Sequence, residues 1–371
     1  MNEVSSVVFY VLIIFLGSIF AFLSQINFRS NNNYKSRVSI YLKKYFIFLS
    51  FLCLTIPVAI RHYTGADYDS YINMYNNISY FGPLSMFPKY EIGYVLLNYI
   101  CFKVFNDYHS VFIIVAIVTN IFVYKAILYE KKNINLAISI FTYGFTLYFL
   151  EFVMIRNILA ISIVFYGYKF LIENKKKIFF IIILFASMFH YSILFYCIVA
   201  ILVSDKFKRI RIQIVVCLGL IIIILPKIID NILMFISIII PRLEFYSIDI
   251  SNNDFKISLY MFAYTLPLLL FLLYYSKFIK NNYRNSFYFF LYISSVILLF
   301  ISSFNPIITR FTYSLWPSLI ILSGSFVKQF SKNNALKILM VSLIIIYGTV
   351  LIIKFITIKS YLLIPYKSML C

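Results

Sequence analysis

Long apolar runs separated by short polar loops dominate the pattern of hydrophobic and polar positions along the whole chain. A helix needs about 20 mostly apolar residues to cross the hydrocarbon core of a bilayer. Runs that meet or nearly meet this length occur at residues 4–24, 45–60, 109–128, 134–150, 157–173, 212–229, 258–276, 286–303, 311–327 and 337–358. The pattern predicts an all-α polytopic membrane protein with about 10–12 transmembrane helices, organised as one membrane domain over residues 1–371.

Two segments fit this scheme less simply. Residues 91–105 are short for a span and contain Lys103, while residues 178–203 form a long apolar run with His190 in its middle. If the first stays on the outer side and the second forms a helical hairpin around His190, the basic loops all share one side. These loops hold 20 of the 33 lysines and arginines, at residues 25–44, 129–133, 174–177, 204–211, 277–285 and 328–337. The positive-inside rule makes that side cytoplasmic and favours the hairpin.

Composition supports the membrane interpretation and removes other classes. Hydrophobic residues make up 63% of the chain, charged residues 12%, and the mean hydropathy is +0.92. The net charge of +20 is spread over short loops, so we expect no nucleic-acid partner. The five cysteines contain no CxxC pair, which argues against a zinc site or a disulfide framework. The first apolar run lacks a basic leader and a cleavage site, and we expect it to be a retained helix.

Charged residues that suit chemistry collect on the predicted outer side, which includes the loops at about 61–90 and 230–257. They are Arg61, His62, Asp67, Asp69, Glu91, Glu151, Arg156, His190, Arg242 and Arg310. Polar groups at membrane depth are tolerated where they are buried in protein or line a water-filled cavity. The threading therefore predicts a shared cavity that faces outward.

The stretch "RHYTGADYDSY" begins with Arg61, which suits bidentate contact with phosphate but also interfacial snorkelling. Gly65 permits a tight turn that aims Asp67 back toward the membrane. Asp67 and Asp69 have the spacing of a weak divalent-cation motif. The tyrosines suit an interfacial belt, which we expect for most of them, or a sugar-stacking surface; they are Tyr63, Tyr68, Tyr71 and Tyr75.

Three further stretches carry candidates with two interpretations each. Glu91 in "KYEIGYVLLNYI" suits either a helix start or a site. In "EFVMIRNILA", Glu151 and Arg156 suit an ion pair, yet an arginine at a membrane helix end is also a functional candidate. His190 in "ASMFHYSIL" interrupts an apolar run and is either a satisfied core residue or a catalytic one. His62 and His109 show no metal-ligand spacing.

The last candidates lie toward the end of the chain. "FNPIITRFTYSLW" places Arg310 and Tyr313 at the outer entrance to a span, and Arg242 in "IIPRLEFY" has Glu244 as a possible partner. Several arginines with a histidine and two carboxylates suit a polyanionic ligand and an acid–base step, as with a polyprenyl pyrophosphate. The sequence has no Gly-rich phosphate loop, so we expect a lipid-linked donor rather than a nucleotide sugar. We also expect no cofactor and no metal.

The order "RHYTGADYDSY", "EIGYVLLN", "IRNILA", "FHYSIL" and "RFTY" resembles the EpsG family of Wzy-type O-antigen and exopolysaccharide polymerases. The resemblance implies a GT-C-like glycosyltransferase that joins undecaprenyl-diphosphate-linked repeat units on the outer face of a bacterial cytoplasmic membrane. His190 is then the preferred base, with Asp67 and Glu91 as alternatives. The diphosphate would be clamped by Arg61, Arg156 and Arg310. Sugar or supporting contacts would come from Tyr68, Tyr71, Tyr191, Tyr313 and Arg242.

Other functions remain open from the sequence. The partners implied are the lipid-linked glycans, the bilayer, and a chain-length regulator and flippase of the same pathway. A flippase or transporter of lipid-linked oligosaccharide would also have many spans, although no internal repeat is visible. An O-antigen ligase, a membrane acyltransferase, or a sensor without catalysis are further alternatives.

Overall fold

A computed structural model describes residues 1–26, 33–87, 89–203, 259–280, 282–303, 308–330 and 334–369. Over these residues the chain is helical and contains no named β-strand. The helices are, in chain order, α1 (Glu3–Gln25), α2 (Asn33–Ala59), α3 (Tyr68–Phe81), α4 (Ile92–Phe105), α5 (His109–Tyr129), α6 (Leu136–Thr146), α7 (Leu150–Val153), α8 (Ile155–Ile172), α9 (Lys176–Ser187), α10 (Tyr196–Leu202), α11 (Leu259–Leu273), α12 (Tyr283–Ile301), α13 (Ile308–Leu315), α14 (Pro317–Gln329) and α15 (Asn334–Ile356).

Six of the described helices are long and apolar enough to cross a membrane. They are α1, α5, α8 and α12, together with Ser39–Ala59 of α2 and Ala335–Ile356 of α15. Several such helices in one chain, with no strand in the described ranges, confirm the predicted all-α polytopic membrane protein.

Three predicted spans are shorter or broken in the structure. The run 134–150 ends as a helix at Thr146, so α6 has 11 residues. The run 311–327 is interrupted after Leu315, because Pro317 lacks an N–H and suits the first turn of a helix better than its interior. The run 258–276 gives α11, with 15 residues. The predicted span 212–229 lies outside the described residues.

The chain divides into two compact units, one formed by residues 1–194 and 320–371 and the other by residues 195–319. In the first unit, α1 packs against α2 and α6, α5 packs against α2 and α8, and α8 packs against α9. In the second unit, α12 packs against α11 and α13. The prediction of one membrane domain stays a prediction. The residues that contact one another in the candidate site all belong to the first unit.

The apolar run 178–203 breaks at the histidine. Helix α9 ends at Ser187, a 3₁₀ turn covers Tyr191–Phe195, and α10 begins at Tyr196. His190 therefore lies in the short connection between two helices. The break agrees with the position expected for a hairpin, while the return of the second half stays a prediction.

The segment after α15 pairs with the loop that follows α2. The His62 N–H donates to the Lys367 carbonyl at 2.9 Å, and the Met369 N–H donates to the Ile60 carbonyl at 2.8 Å. Arg61 and Ser368 form an antiparallel bridge between these two bonds. The C-terminal segment therefore fixes the backbone of Arg61. Thr64, in the same loop, also contacts this segment, through the Lys367 carbonyl 303 positions away.

Candidate functional site

A buried carboxylate, an arginine and a histidine meet at the start of α4. Glu91 is the residue just before α4 and is 3% exposed. One carboxylate oxygen accepts a hydrogen bond from Nη1 of Arg156, and the other lies 3.0 Å from Nδ1 of His190. Three residues that the sequence analysis placed on one side of the membrane are thus in direct contact, and we call them the Glu91 cluster.

The backbone around Glu91 explains how the histidine comes so close. Gly93, in the first turn of α4, donates its N–H to the Met188 carbonyl at 2.8 Å. A Cβ at Gly93 would lie 2.8 Å from that same carbonyl oxygen. Only glycine allows this approach without a backbone shift, and the approach holds the connection containing His190 against the N-terminus of α4.

Arg156 reaches the cluster because the chain breaks just before it. Helix α7 ends at Val153 and α8 begins at Ile155, so Arg156 lies in the first turn of α8. Its guanidinium lies 5.1 Å from the ring centroid of Tyr90 and 5.7 Å from that of Tyr94. Its Nε is buried and has no hydrogen-bond partner in the described part of the chain. Arg156 can therefore hold Glu91 with one nitrogen and offer other donors to a ligand.

The surroundings keep Glu91 ionised. Burial alone would raise the pKa of Glu91, but the hydrogen bond with His190 and the positive charge of Arg156 outweigh burial and lower this pKa to about 2. A carboxylate with such a low pKa is a weak base near neutral pH. Glu91 is therefore better suited to orient His190 than to accept a proton from a substrate.

Arg61 lies in a second buried region of the same compact unit. It is 1% exposed, and its Nη1 donates to the backbone carbonyl of Glu151 at 2.6 Å. The guanidinium lies 5.0 Å from the ring centroid of Phe112 and 5.4 Å from that of Phe152. Among the described residues, its Nε and Nη2 have no hydrogen-bond partner and it forms no salt bridge. A buried cation with two unmet donors has the chemistry to stabilise an anion.

The carboxyl group of Glu151 belongs to a different network from the expected one. Its Oε2 accepts from Asn120 Nδ2 at 2.8 Å and its Oε1 accepts from the Tyr143 hydroxyl. The possible ion pair with Arg156 is wrong, because Arg156 binds Glu91. Burial raises the pKa of Glu151 to about 8, against the lowering effect of both hydrogen bonds and of Arg61. Glu151 is thus mostly neutral at pH 7 and does not neutralise Arg61.

Asn120 and Tyr143 were not among the site residues predicted from the sequence. Asn120 is 0% exposed in the middle of α5, and Tyr143 is 0% exposed in α6. A polar amide within a long apolar helix was the available signal, because such groups need a partner inside the protein. The tyrosine gave no comparable signal, since tyrosines are abundant throughout this chain.

The tyrosines after Arg61 mostly face the protein. Tyr68 stacks on Phe112 with ring centroids 4.6 Å apart. The Tyr71 hydroxyl donates to the Val153 carbonyl at 3.4 Å. Tyr68, Tyr71 and Tyr75 are 2%, 7% and 6% exposed, so the expected interfacial belt is wrong for these three. Burial raises the pKa of Tyr71 to about 12, Arg156 and Arg61 lower it, and Asp67 adds to the rise.

The remaining first-unit candidates border this region. Asp67 precedes α3 and is exposed, as is Asp69 in the first turn of α3. The turn before them needs Gly65, whose φ of +107° and whose contact with the Phe152 backbone exclude a side chain. Tyr191 is 44% exposed beside His190. No group of three His, Cys, Asp or Glu side chains suited to a metal occurs within the ranges described.

The candidates beyond residue 195 stand apart from this description. Arg310 and Tyr313 lie on α13 in the second unit, where the Tyr313 ring packs 4.6 Å from the Trp316 ring. Their participation in the same cavity as Glu91 stays a prediction. Arg242, with Glu244, lies outside the described residues.

The fold and the Glu91 cluster define a multi-pass membrane protein with a buried ionic site between helix ends. The EpsG family model matches residues 44–368, so the chain belongs to the EpsG family. This membership supports a polysaccharide-polymerase-like role and agrees with the motif resemblance found in the sequence. No curated protein and no solved structure matches the chain.

Proposed function

We propose that the protein is a glycosyltransferase that joins undecaprenyl-diphosphate-linked oligosaccharide units into a polysaccharide on the outer face of a bacterial cytoplasmic membrane. Family membership supports the general role. The observation that carries the chemistry is the contact of Glu91 with both His190 and Arg156. It supports the proposal because an imidazole, a carboxylate and a guanidinium meet there.

The proposed reaction transfers the growing chain from its lipid carrier to an incoming unit. A hydroxyl oxygen of the incoming unit's terminal sugar forms a bond to the anomeric carbon of the growing chain. The bond between that carbon and the diphosphate oxygen breaks, and undecaprenyl diphosphate leaves with the electron pair. The hydroxyl proton goes to a base, because a sugar hydroxyl is a poor nucleophile near neutral pH.

We assign the base role to His190 and a positioning role to Glu91. The carboxylate fixes His190 through Nδ1, so proton transfer would use Nε2. The low pKa of Glu91 makes it a poorer base than an imidazole. Asp67 stays the alternative base because its side chain is exposed. It also lies close enough to the cluster for both Asp67 and Arg156 to shift the pKa of Tyr71.

We assign stabilisation of the leaving diphosphate to the arginines. Arg156 has donors beyond the one bound to Glu91, and Arg61 supplies a buried positive charge that no carboxylate in the described chain neutralises. Positive charge placed where a leaving group develops negative charge lowers the barrier most in a low-dielectric site. Arg310 is the third proposed clamp.

Reconstitution tests the proposal. Purified protein in liposomes, given a lipid-linked repeat unit from its own host, should yield a ladder of products that differ by one unit. H190A should abolish the ladder while K177A, at an exposed lysine of α9, should keep it. Transport of the unit across the bilayer without elongation would contradict the polymerase and favour a flippase. A single attachment to a different acceptor would favour a ligase.

A further inference from the structure

Two histidines far apart in sequence face each other in the structure. His62 lies in the loop after α2 and His109 begins α5, 47 positions later. His62 Nδ1 and His109 Nε2 are 3.3 Å apart, and the two rings stack with their centroids 5.5 Å apart. Both side chains are only partly buried, so solvent and small ions reach them.

Neighbouring groups hold the His62 backbone and the His109 imidazole in place. The backbone N–H of His62 donates to the Lys367 carbonyl, as described above. His109 Nδ1 lies 3.1 Å from a carboxylate oxygen of Asp107, which also accepts from the His109 backbone N–H at 3.1 Å. The Tyr108 ring stacks on His109 at 4.0 Å. The pair is thus supported from the C-terminal segment on one side and from Asp107 on the other.

The separation of the two nitrogens matches chelation. Two nitrogens bound to one tetrahedral Zn²⁺, each at about 2.0–2.1 Å, lie about 3.3–3.4 Å from each other. The contact between Asp107 and the second nitrogen of His109 is the carboxylate–histidine arrangement that orients metal-ligating histidines. The measured 3.3 Å therefore fits a shared metal ion as well as a hydrogen bond between the rings.

We propose that His62 and His109 bind a divalent transition-metal ion of the Zn²⁺ class, with Asp107 orienting His109 and water completing the coordination. Lys367 opposes binding through its positive charge, which acts on His62. No third protein ligand completes the pair within the described ranges, so this is an open site. No sequence motif indicates this site, because the two ligands come from separate elements.

The proposed site stands on these contacts and does not depend on the polymerase assignment. It would join the loop of Arg61 to the start of α5, because His62 directly follows Arg61. A bound ion would therefore restrict the loop that carries Arg61. The presence of the metal site can be measured by metal binding alone, without an activity assay.

A zinc titration tests the proposal. The full chain, purified in detergent without a histidine tag and treated with a chelator, is titrated with Zn²⁺ against a fluorescent zinc indicator. One equivalent should bind to the unaltered protein and be lost in H62A and in H109A. D107N should weaken binding by about 10–100-fold, as expected for a carboxylate that orients a ligand. H190A removes the third histidine of the chain and should still bind one equivalent of Zn²⁺.

Folding is monitored by thermal melting of the metal-free proteins, and H109Q replaces H109A if the latter unfolds. Substitution of Co²⁺ for Zn²⁺ should give the visible absorption of a tetrahedral ion in the unaltered protein. Zinc binding that persists in folded H62A and H109A, zinc binding that disappears in H190A, or no binding in the unaltered protein would each overturn the proposal.

Discussion

His190 Nδ1 and a carboxylate oxygen of Glu91 are 3.0 Å apart although 99 positions separate the two residues. The other oxygen of Glu91 is held by Arg156, so the carboxylate has one cation and one imidazole as partners. Such an arrangement fixes the ring orientation and stabilises the imidazolium that forms when the ring takes a proton. The contact thus links the N-terminus of α4 to the base role proposed for His190.

Replacing Glu91 with glutamine should reduce the polymerisation rate by at least about 100-fold, because the amide cannot stabilise a protonated His190. The rate is measured as lipid-linked units consumed per enzyme in liposomes. E173Q is the matched control, since Glu173 is an exposed glutamate paired with Lys175 on the predicted cytoplasmic side. Equal activity in E91Q and the unaltered protein would exclude the positioning role.

A double variant separates catalysis from stability in the same cluster. E91Q leaves the partly buried Arg156 without its partner and should destabilise the protein by up to about 3 kcal/mol. E91Q/R156Q removes both charges and should recover much of that loss in thermal melting. Its activity should stay low. Recovery of both activity and stability in the double variant would show that Glu91 and Arg156 form only a structural ion pair.

Gly93 tests the geometry without touching a reacting group. In G93A the new Cβ would meet the Met188 carbonyl at 2.8 Å and push the His190 connection away from α4. We expect at least about a tenfold loss of polymerisation, since small displacements of a catalytic group are costly. I92A, at the exposed neighbouring position, is the control and should be close to normal. Normal activity in folded G93A would show that the close approach is dispensable.

The contribution of Arg61 to activity should depend on the planar shape of its guanidinium as well as on its charge. A lysine cannot reproduce the guanidinium placed between Phe112 and Phe152 with its bond to the Glu151 carbonyl. R61K should therefore lower kcat/KM for the lipid-linked donor by about tenfold or more, and R61M should lower it further. K103R, an exchange at an exposed residue of α4, should have no effect. Equal losses in R61K and R61M, with loss of folded protein, would indicate packing alone.

The raised pKa of Glu151 should make the stability of the folded protein depend on pH. Its pKa in the folded protein is about 8, above the ordinary value of 4.5 that applies to the unfolded chain. Between these values the folded state holds a proton that the unfolded state has released, so stability falls as pH rises from about 4.5 to about 8. E151Q removes this contribution. The melting temperature of the unaltered protein should therefore fall relative to E151Q across this range, and parallel curves would contradict a buried neutral Glu151.

Much of the helical plan could be predicted from the sequence because apolar run length decides whether a segment can cross a bilayer. The runs at 4–24, 109–128 and 337–358 correspond closely to α1, α5 and α15. The break at His190 was also visible, since a polar residue interrupts an apolar run. The break after Thr146 was not, because the surrounding residues remain apolar enough for one span. At Leu315, the nearby Pro317 was a signal for a new helix start, but the apolar length of the run favoured one span.

The residue types of the candidate site were predictable, and their partners were not. Loop charge placed Glu91, Arg156 and His190 on one side, and the structure brings all three into contact. Loop charge did not show that Arg156 pairs with Glu91 and not with Glu151, which is closer in sequence. Breaks between helices decide which of these side chains meet. The partners of Asn120 and the pairing of His62 with His109 were likewise not predictable from the sequence, since they come from distant elements.

The orientation of the Glu91 cluster is the remaining prediction, and surface labelling decides it. The positive-inside rule places α3 outside and the basic loop before α9 inside. In a variant whose native cysteines are replaced, S70C on α3 should react with a membrane-impermeant maleimide in intact spheroplasts. K177C on α9 should react only after permeabilisation, although both positions are exposed in the structure. The opposite result would place the site on the cytoplasmic face, where the growing polymer would still have to be exported after assembly.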